Sequence, residues 1–62
     1  MQGRIKFFNT EKGYGFITDT ENAKDYFVHV TGLLEEVKQD EEVTFEITEG
    51  DRGLKAINVK KI

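Results

Sequence analysis

The sequence KGYGFI occupies residues 12–17, and a second run, YFVH, occupies residues 26–29. Side chains of a strand alternate between its two faces, so Tyr14 and Phe16 share one face while Ile17 lies on the other. If the aliphatic positions of both runs point into a core, their aromatic rings point towards water. The two runs therefore predict a pair of strands that carry an exposed aromatic surface.

The same period-two alternation recurs along the rest of the chain. It predicts five strands, over residues 2–9, 13–19, 25–30, 43–48 and 54–61. The glycine-containing stretch 49–53 is a predicted hairpin turn, and Ile57 and Val59 are expected on the inward side of the last strand. Residues 31–42 are too short for an independent helix, so we expect a loop with at most one helical turn, capped by Thr31.

Five short strands leave exposed sheet edges unless the sheet closes on itself. We therefore predict an all-β fold in which residues 1–62 form one domain, a five-stranded antiparallel barrel of the oligonucleotide-binding (OB) type. An SH3-like barrel satisfies much of the same periodicity, so alternation alone leaves the topology open.

Composition limits the classes of function. The 62 residues include no cysteine and one histidine, which argues against disulfides and zinc sites. No apolar run approaches the length of a membrane span, and the N-terminus lacks the hydrophobic stretch of a secretory signal. We predict a soluble, cytoplasmic monomer with no metal, no cofactor, no membrane partner and no small-molecule substrate.

Charge is distributed unevenly along the chain, whose net charge is -3. Residues 35–51 contain eight acidic residues and one lysine, whereas residues 1–18 contain three basic residues and one acidic residue. Lys6 and Lys12 flank the first aromatic run. The acidic segment is expected to form a solvated exterior away from the rings, where it could repel nucleic acid.

Exposed rings need a partner, and nucleic-acid bases offer flat faces on which to stack. A core location for the rings would instead expose Ile17 and Val28. Phe7 is a special case, because a period of two places it on the same face as Ile5 and only a β-bulge would separate them. Since aromatic residues also favour protein interfaces, a protein-docking module is the alternative function.

An enzyme is not predicted. His29 and Asp25 could be imagined as a base and its orienting acid, but no nucleophile, second acid or metal cluster accompanies them. We therefore assign no catalytic residue.

The chain also resembles the cold-shock protein family over nearly its whole length. KGYGFI at residues 12–17 is similar to the family's first nucleic-acid-binding motif, and FVH at 27–29 is similar to its second. GRIKFFN at 3–9 and GDRGLKAINV at 50–59 also match family patterns. The resemblance implies a five-stranded antiparallel barrel that binds single-stranded RNA and DNA with little sequence selectivity and acts as a nucleic-acid chaperone without ATP.

Residue by residue, the resemblance implies a stacking surface, a basic border and two polar contacts. The stacking surface consists of Phe7, Tyr14, Phe16, Phe27 and His29, with Phe8 shared between this surface and the barrel interior. The basic border consists of Lys6, Lys12, Arg52 and Lys55. The implied contacts to base edges are Asn9 and Asp25. Phe7 stands where the family usually has Trp, and the loop after His29 lacks the family's Gly-flanked Phe, which bears on the number of bases engaged.

Overall fold

A computed structural model describes residues 1–51 and 53–62, which form five strands and one short 3-10 helix. Strands β1 to β5 span Gln2–Asn9, Tyr14–Asp19, Asp25–His29, Glu42–Gly50 and Gly53–Lys61. The helix spans Val30–Gly32, and its N-cap is His29 rather than the expected Thr31. The alternation thus predicted every strand, with boundaries that differ from the structure by no more than two residues.

The strands form a closed barrel in the order β1-β2-β3-β5-β4. Every neighbouring pair is antiparallel except β3 and β5, which run parallel. A ring with an odd number of strands cannot reverse direction at every step, so one neighbouring pair has to be parallel. The predicted all-β barrel is confirmed and is consistent with the OB type, while its description as wholly antiparallel is corrected.

The core packs aliphatic side chains from all five strands around one aromatic ring. Its buried members are Ile5, Ile17, Val28, Val37, Val43, Phe45, Ala56 and Val59. Fully burying a side chain such as Val or Ile contributes roughly 1.5–3 kcal/mol, so this cluster supplies the main stabilisation of a small barrel. Because Ile17 and Val28 are wholly buried, the opposite faces of β2 and β3 are directed outwards.

A β-bulge in β1 reverses which side chains face outwards. Ile5 lies opposite Ile17, and Phe7 lies opposite Phe16, so Lys6 is an extra residue with no counterpart on β2. One inserted residue moves the side chains beyond it to the other face of the sheet. Ile5 is consequently buried in the core while Phe7 lies on the outer face.

A second irregularity lies between β4 and β5, where Asn58 has a φ of 52°. Asn tolerates this left-handed conformation better than most residues, and its side chain donates a 2.6 Å hydrogen bond to Glu46. The prediction for Val59 is confirmed, but the inward prediction for Ile57 is wrong. Because the ladder shifts at this point, Ala56 enters the core and Ile57 is only half-buried.

Close contact between β1 and β2 depends on Gly15. A Cβ atom at this position would overlap the carbonyl oxygen of Phe7 and lie 2.6 Å from Cδ2 of Phe8. Only glycine therefore lets the two strands approach as they do. Within the described part of the chain, no helix is long and apolar enough to cross a membrane.

Candidate functional site

Four aromatic rings form a continuous patch on the outer face of β1, β2 and β3. We call it the aromatic platform, and its members are Phe7, Tyr14, Phe16 and Phe27. The strand register brings them together, because Phe7 lies opposite Phe16 and Phe16 lies opposite Phe27. Centroid separations are 6.1 Å for Phe7–Tyr14, 5.5 Å for Phe7–Phe16, 6.0 Å for Tyr14–Phe27 and 5.9 Å for Phe16–Phe27.

Contacts between the rings order the platform before any ligand arrives. Phe7 meets Tyr14 at 82°, and Phe16 meets Phe27 at 77°, which are the edge-to-face arrangements that aromatic pairs favour. Tyr14 and Phe27 are close to parallel, with 19° between their planes. Because the four side chains are already ordered, they lose little conformational freedom when a ligand stacks on them, and the entropic cost of binding is lower.

A groove of about 940 Å³ separates the platform from the β4–β5 hairpin. Tyr14, Phe16 and Phe27 form one wall together with His29. The lining residues contributed by the rest of the chain are Lys12, Thr31, Gly50, Asp51, Gly53, Leu54 and Lys55. The groove is therefore aromatic along one wall, and its described lining carries two lysines and one aspartate, Lys12, Lys55 and Asp51.

Five described groove residues were missed by the sequence predictions, namely Thr31, Gly50, Asp51, Gly53 and Leu54. Leu54 is 53% exposed and faces the groove from β5, and Thr31 reaches it from the 3-10 helix. The similarity of GDRGLK at residues 50–55 to the family pattern is the sequence signal that points to Leu54. Nothing in strand alternation shows that this hairpin lies across from the platform.

His29 is held in one orientation by the helix that it caps. Its Nδ1 accepts a 3.2 Å hydrogen bond from the backbone N–H of Thr31 and lies 3.0 Å from the Thr31 hydroxyl. We therefore assign the proton of the neutral imidazole to Nε2, which leaves that nitrogen as a donor. Since His29 also lines the groove, it can contribute both a flat ring and an N–H to a bound ligand.

The predicted basic border divides into two parts. Lys12 is exposed and Lys55 is half-buried, and both line the groove. Lys6, the bulge residue, instead forms a 2.8 Å ion pair with Asp25. The prediction for Arg52 lies outside the described residues.

Asp25 already has a partner for each carboxylate oxygen. Lys6 donates to Oδ2 at 2.8 Å, and the Thr18 hydroxyl donates to Oδ1 at 2.7 Å. These hydrogen bonds, with that from Lys6 the stronger influence, hold the pKa of the Asp25 carboxyl below its ordinary value. A base that contacts Asp25 must share the carboxylate with these donors.

Phe8 and Asn9 do not join the platform. Phe8 packs against the core and lines a different groove, because it follows Phe7 by one residue and faces the other way. The Asn9 side-chain oxygen accepts a 3.0 Å hydrogen bond from the backbone N–H of Lys12 and so shapes the β1–β2 turn. Its amide NH2 group and the second lone pair of its oxygen are left to meet a ligand.

The site has the character of a binding surface. Among residues 1–51 and 53–62, no group of three or more His, Cys, Asp or Glu side chains is arranged to hold a metal ion. Its distinguishing elements are flat rings, two lysines beside one aspartate, and a groove with room for an extended ligand.

Comparison with known proteins agrees with this geometry. Residues 1–62 match the family model described as the 'Cold-shock' DNA-binding domain. Cold shock protein CspB of Bacillus caldolyticus is 46% identical across the whole chain and 98% of its own length. Cold shock-like protein CspB of Bacillus cereus is 44% identical over the full length of both chains, and the major cold shock protein of Micrococcus luteus is 42% identical over 97% of this chain and 96% of its own.

These matches confirm the resemblance that the short aromatic motifs indicated and support nucleic-acid binding as the class of function. The chain belongs to the cold-shock domain family.

Proposed function

We propose that this protein binds single-stranded RNA and DNA with low sequence selectivity and acts as an ATP-independent nucleic-acid chaperone. The observation that carries the proposal is the aromatic platform, in which four rings contact one another on the outer face of the barrel. A strand that lies along the groove stacks its bases on these rings and on His29.

Stacking accounts for both affinity and low selectivity. Each stacked base contributes roughly 1–3 kcal/mol when measured by truncation of its aromatic partner, so three or four rings suffice for useful affinity. Every base has a π-face, and stacking therefore discriminates weakly among bases. Polar contacts from Asn9, Asp25 or His29 would add modest base preferences.

Lysine side chains beside the groove bind the phosphates, although the net charge of the protein is negative. Lys12 and Lys55 lie beside the groove, and Lys6 can join them if it leaves Asp25. Two to four phosphate contacts predict a logarithmic salt slope of about -1.5 to -3 for a single strand. Strand β4 is not a neighbour of β2 or β3, but Asp51 of the acidic segment 35–51 lines the groove, so the expectation that the whole segment lies away from the rings is corrected at this residue.

Chaperone activity follows from the preference for unpaired bases. Bases within a duplex are stacked and paired, so they do not present free faces to the platform. By binding single strands, the protein shifts weak secondary structure towards the open form through mass action. No hydrolysis step is required. The cytoplasmic location and monomeric state stay predictions of the sequence.

The proposal is tested by titrating the ¹⁵N-labelled protein with an oligothymidine and with a duplex of equal length while following amide shifts. We expect shifts centred on Tyr14, Phe16, Phe27 and His29 and a much lower affinity for the duplex. Equal affinity for both ligands, or shifts elsewhere on the barrel, would reject the platform as the binding surface.

The alternative, in which the rings dock a protein, makes a different prediction. It requires binding to a protein partner with little salt dependence and indifference to oligonucleotides. Lys12 and Lys55 beside the rings favour a polyanion instead.

A further inference from the structure

A row of paired residues crosses the outer face of the barrel and continues from the platform onto β5. Phe16 lies opposite Phe7 on one side and opposite Phe27 on the other. Lys55 lies opposite Phe27 in the parallel pair of β3 and β5. Because the next residue of β5, Ala56, is buried in the core, the side chain of Lys55 faces outwards. The lysine therefore borders the last ring of the row.

The aliphatic stem of Lys55 lies against Gly50, the last residue of β4. A Cβ atom added at Gly50 would be 3.0 Å from Cδ and 3.4 Å from Cγ of Lys55. Both residues line the groove, and Lys55 is half-buried although it is charged. A lysine commonly covers its stem in this way while its ammonium group stays in water. A side chain at position 50 would push the stem out of this place.

The ammonium group of Lys55 is not committed to an acidic partner within residues 1–51 and 53–62. The ion pairs of this part of the chain are Arg4–Glu42, Lys6–Asp25 and Lys61–Glu41. Asp51 lines the same groove as Lys55 but is not ion-paired with it. Lys6 has to leave Asp25 before it can meet a phosphate, whereas Lys55 breaks no ion pair among the described residues.

The contact with Gly50 also lowers the entropic cost of using Lys55. A lysine side chain has several rotatable bonds, and ordering it is among the larger side-chain entropy losses. The stem against Gly50 is restricted before a ligand arrives, so less freedom is lost when the ammonium group binds. Gly50 contributes to this arrangement by having no side chain.

We propose that Gly50 is a positioning residue that holds Lys55 beside Phe27, and that Lys55 binds the phosphate next to the base stacked on Phe27. The inference rests on the proposed function, because it requires a single strand on the platform. It adds a role for Gly50, which strand alternation explains only as part of a turn.

The test is a double-mutant cycle on the full chain, with oligothymidine titrations at several salt concentrations. Lys55→Met keeps an apolar stem and removes the charge, so affinity at low salt should fall by about two- to fivefold and the magnitude of the salt slope by about 0.7. Gly50→Ala keeps the charge but displaces the stem, and we expect a loss of affinity in the same direction. Because the alanine acts through Lys55, adding it to Lys55→Met should cause no further loss.

A second readout detects the contact without a ligand. In the labelled free protein, nuclear Overhauser effects should connect the Gly50 Hα protons with the Cγ and Cδ protons of Lys55, and Gly50→Ala should weaken them. This variant should fold, because Gly50 is not among the glycines with positive φ and the atom nearest to the new Cβ belongs to a flexible side chain. Thermal melts of each variant check this.

Lys60→Met is the matched control. Lys60 is exposed on the same strand and does not line the groove, so its removal should leave the salt slope unchanged.

Three outcomes overturn the inference alone. An unchanged salt slope in Lys55→Met would show that Lys55 binds no phosphate. Parental affinity in Gly50→Ala, with the Overhauser effects lost, would show that the position of the stem is unimportant. A loss in Gly50→Ala that persists in Lys55→Met would assign the effect to a clash between the alanine and the strand. Failure of the parent to bind oligothymidine would instead reject the proposed function and this inference with it.

Discussion

Replacing Phe27 with Ala isolates the contribution of one platform ring. The ring contacts Tyr14 at 6.0 Å and Phe16 at 5.9 Å, and it is 36% exposed, so its removal deletes a stacking partner and loosens two neighbours. Loss of one stacked base corresponds to roughly 1–3 kcal/mol, which is a 5- to 150-fold lower affinity for oligothymidine. No charge changes, so the slope of log affinity against log salt should stay the same.

Phe27→Ala also lowers folding stability, and the assay must separate this effect from the loss of binding. Because Phe27 is only partly buried, Phe27→Ala should lower the free energy of unfolding by about 1–2 kcal/mol, less than the roughly 3–5 kcal/mol of a core Phe→Ala change. A chain of this length has a stability of roughly 3–9 kcal/mol, so the variant stays mostly folded in the cold. Ile47→Ala is the matched control, because Ile47 is half-buried against the core and does not line the platform groove.

Binding is measured at low temperature by quenching of tyrosine fluorescence, since the chain contains no tryptophan and Tyr14 lies in the platform. Circular dichroism on the same samples reports the folded fraction. The reasoning is refuted if Phe27→Ala binds within twofold of the parent, if its salt slope changes, or if Ile47→Ala loses as much affinity.

Three further changes test the basic border at Lys12, the ion pair between the bulge residue Lys6 and Asp25, and the close contact between β1 and β2 at Gly15. Lys12→Gln should weaken oligothymidine binding and reduce the magnitude of the salt slope by about 0.7, whereas Lys60→Gln on β5 should change neither. The slopes are measured by titration at several salt concentrations. Equal slopes for Lys12→Gln and the parent would show that Lys12 does not contact a phosphate. Because the hydrogen bond from Lys6 lowers the pKa of Asp25 below 3.8, the carboxylate stabilises the fold above about pH 3.8, and this contribution is lost as the pH falls through the lowered value. Thermal melts at low salt should therefore show Asp25→Asn less stable than the parent at neutral pH and the difference shrinking in acid; a pH-independent difference would contradict the ion pair as its source. Gly15→Ala should cost about 2 kcal/mol or more, because the new Cβ overlaps β1, and a Tm within about 3 °C of the parent would show that the strands can move apart.

The β1 bulge shows where reasoning from periodicity ends. Alternation placed Ile5 and Phe7 on one face, and only an unpaired residue could separate them. The structure makes Lys6 that residue and uses its side chain to hold Asp25 across the sheet. The family resemblance favoured an exposed Phe7, but neither a local propensity nor a turn signal marks the site of the bulge.

The sequence by itself determined the five strands, the inward direction of Ile17 and Val28, and the shared face of Tyr14 and Phe16. These properties depend on residues close together in the chain, and alternation is a local property of an extended backbone. The motifs also sufficed to identify the family.

Only the tertiary structure decided how those strands combine into a site. Barrel closure made β3 and β5 parallel, brought Leu54 to face the platform across a groove, and shifted the ladder at Asn58 so that Ala56 replaced Ile57 in the core. Each of these results comes from pairing between distant parts of the chain, in which a shift of one residue exchanges the buried and exposed faces. That choice is made by the packing of the whole barrel, because it depends on which register fills the core best.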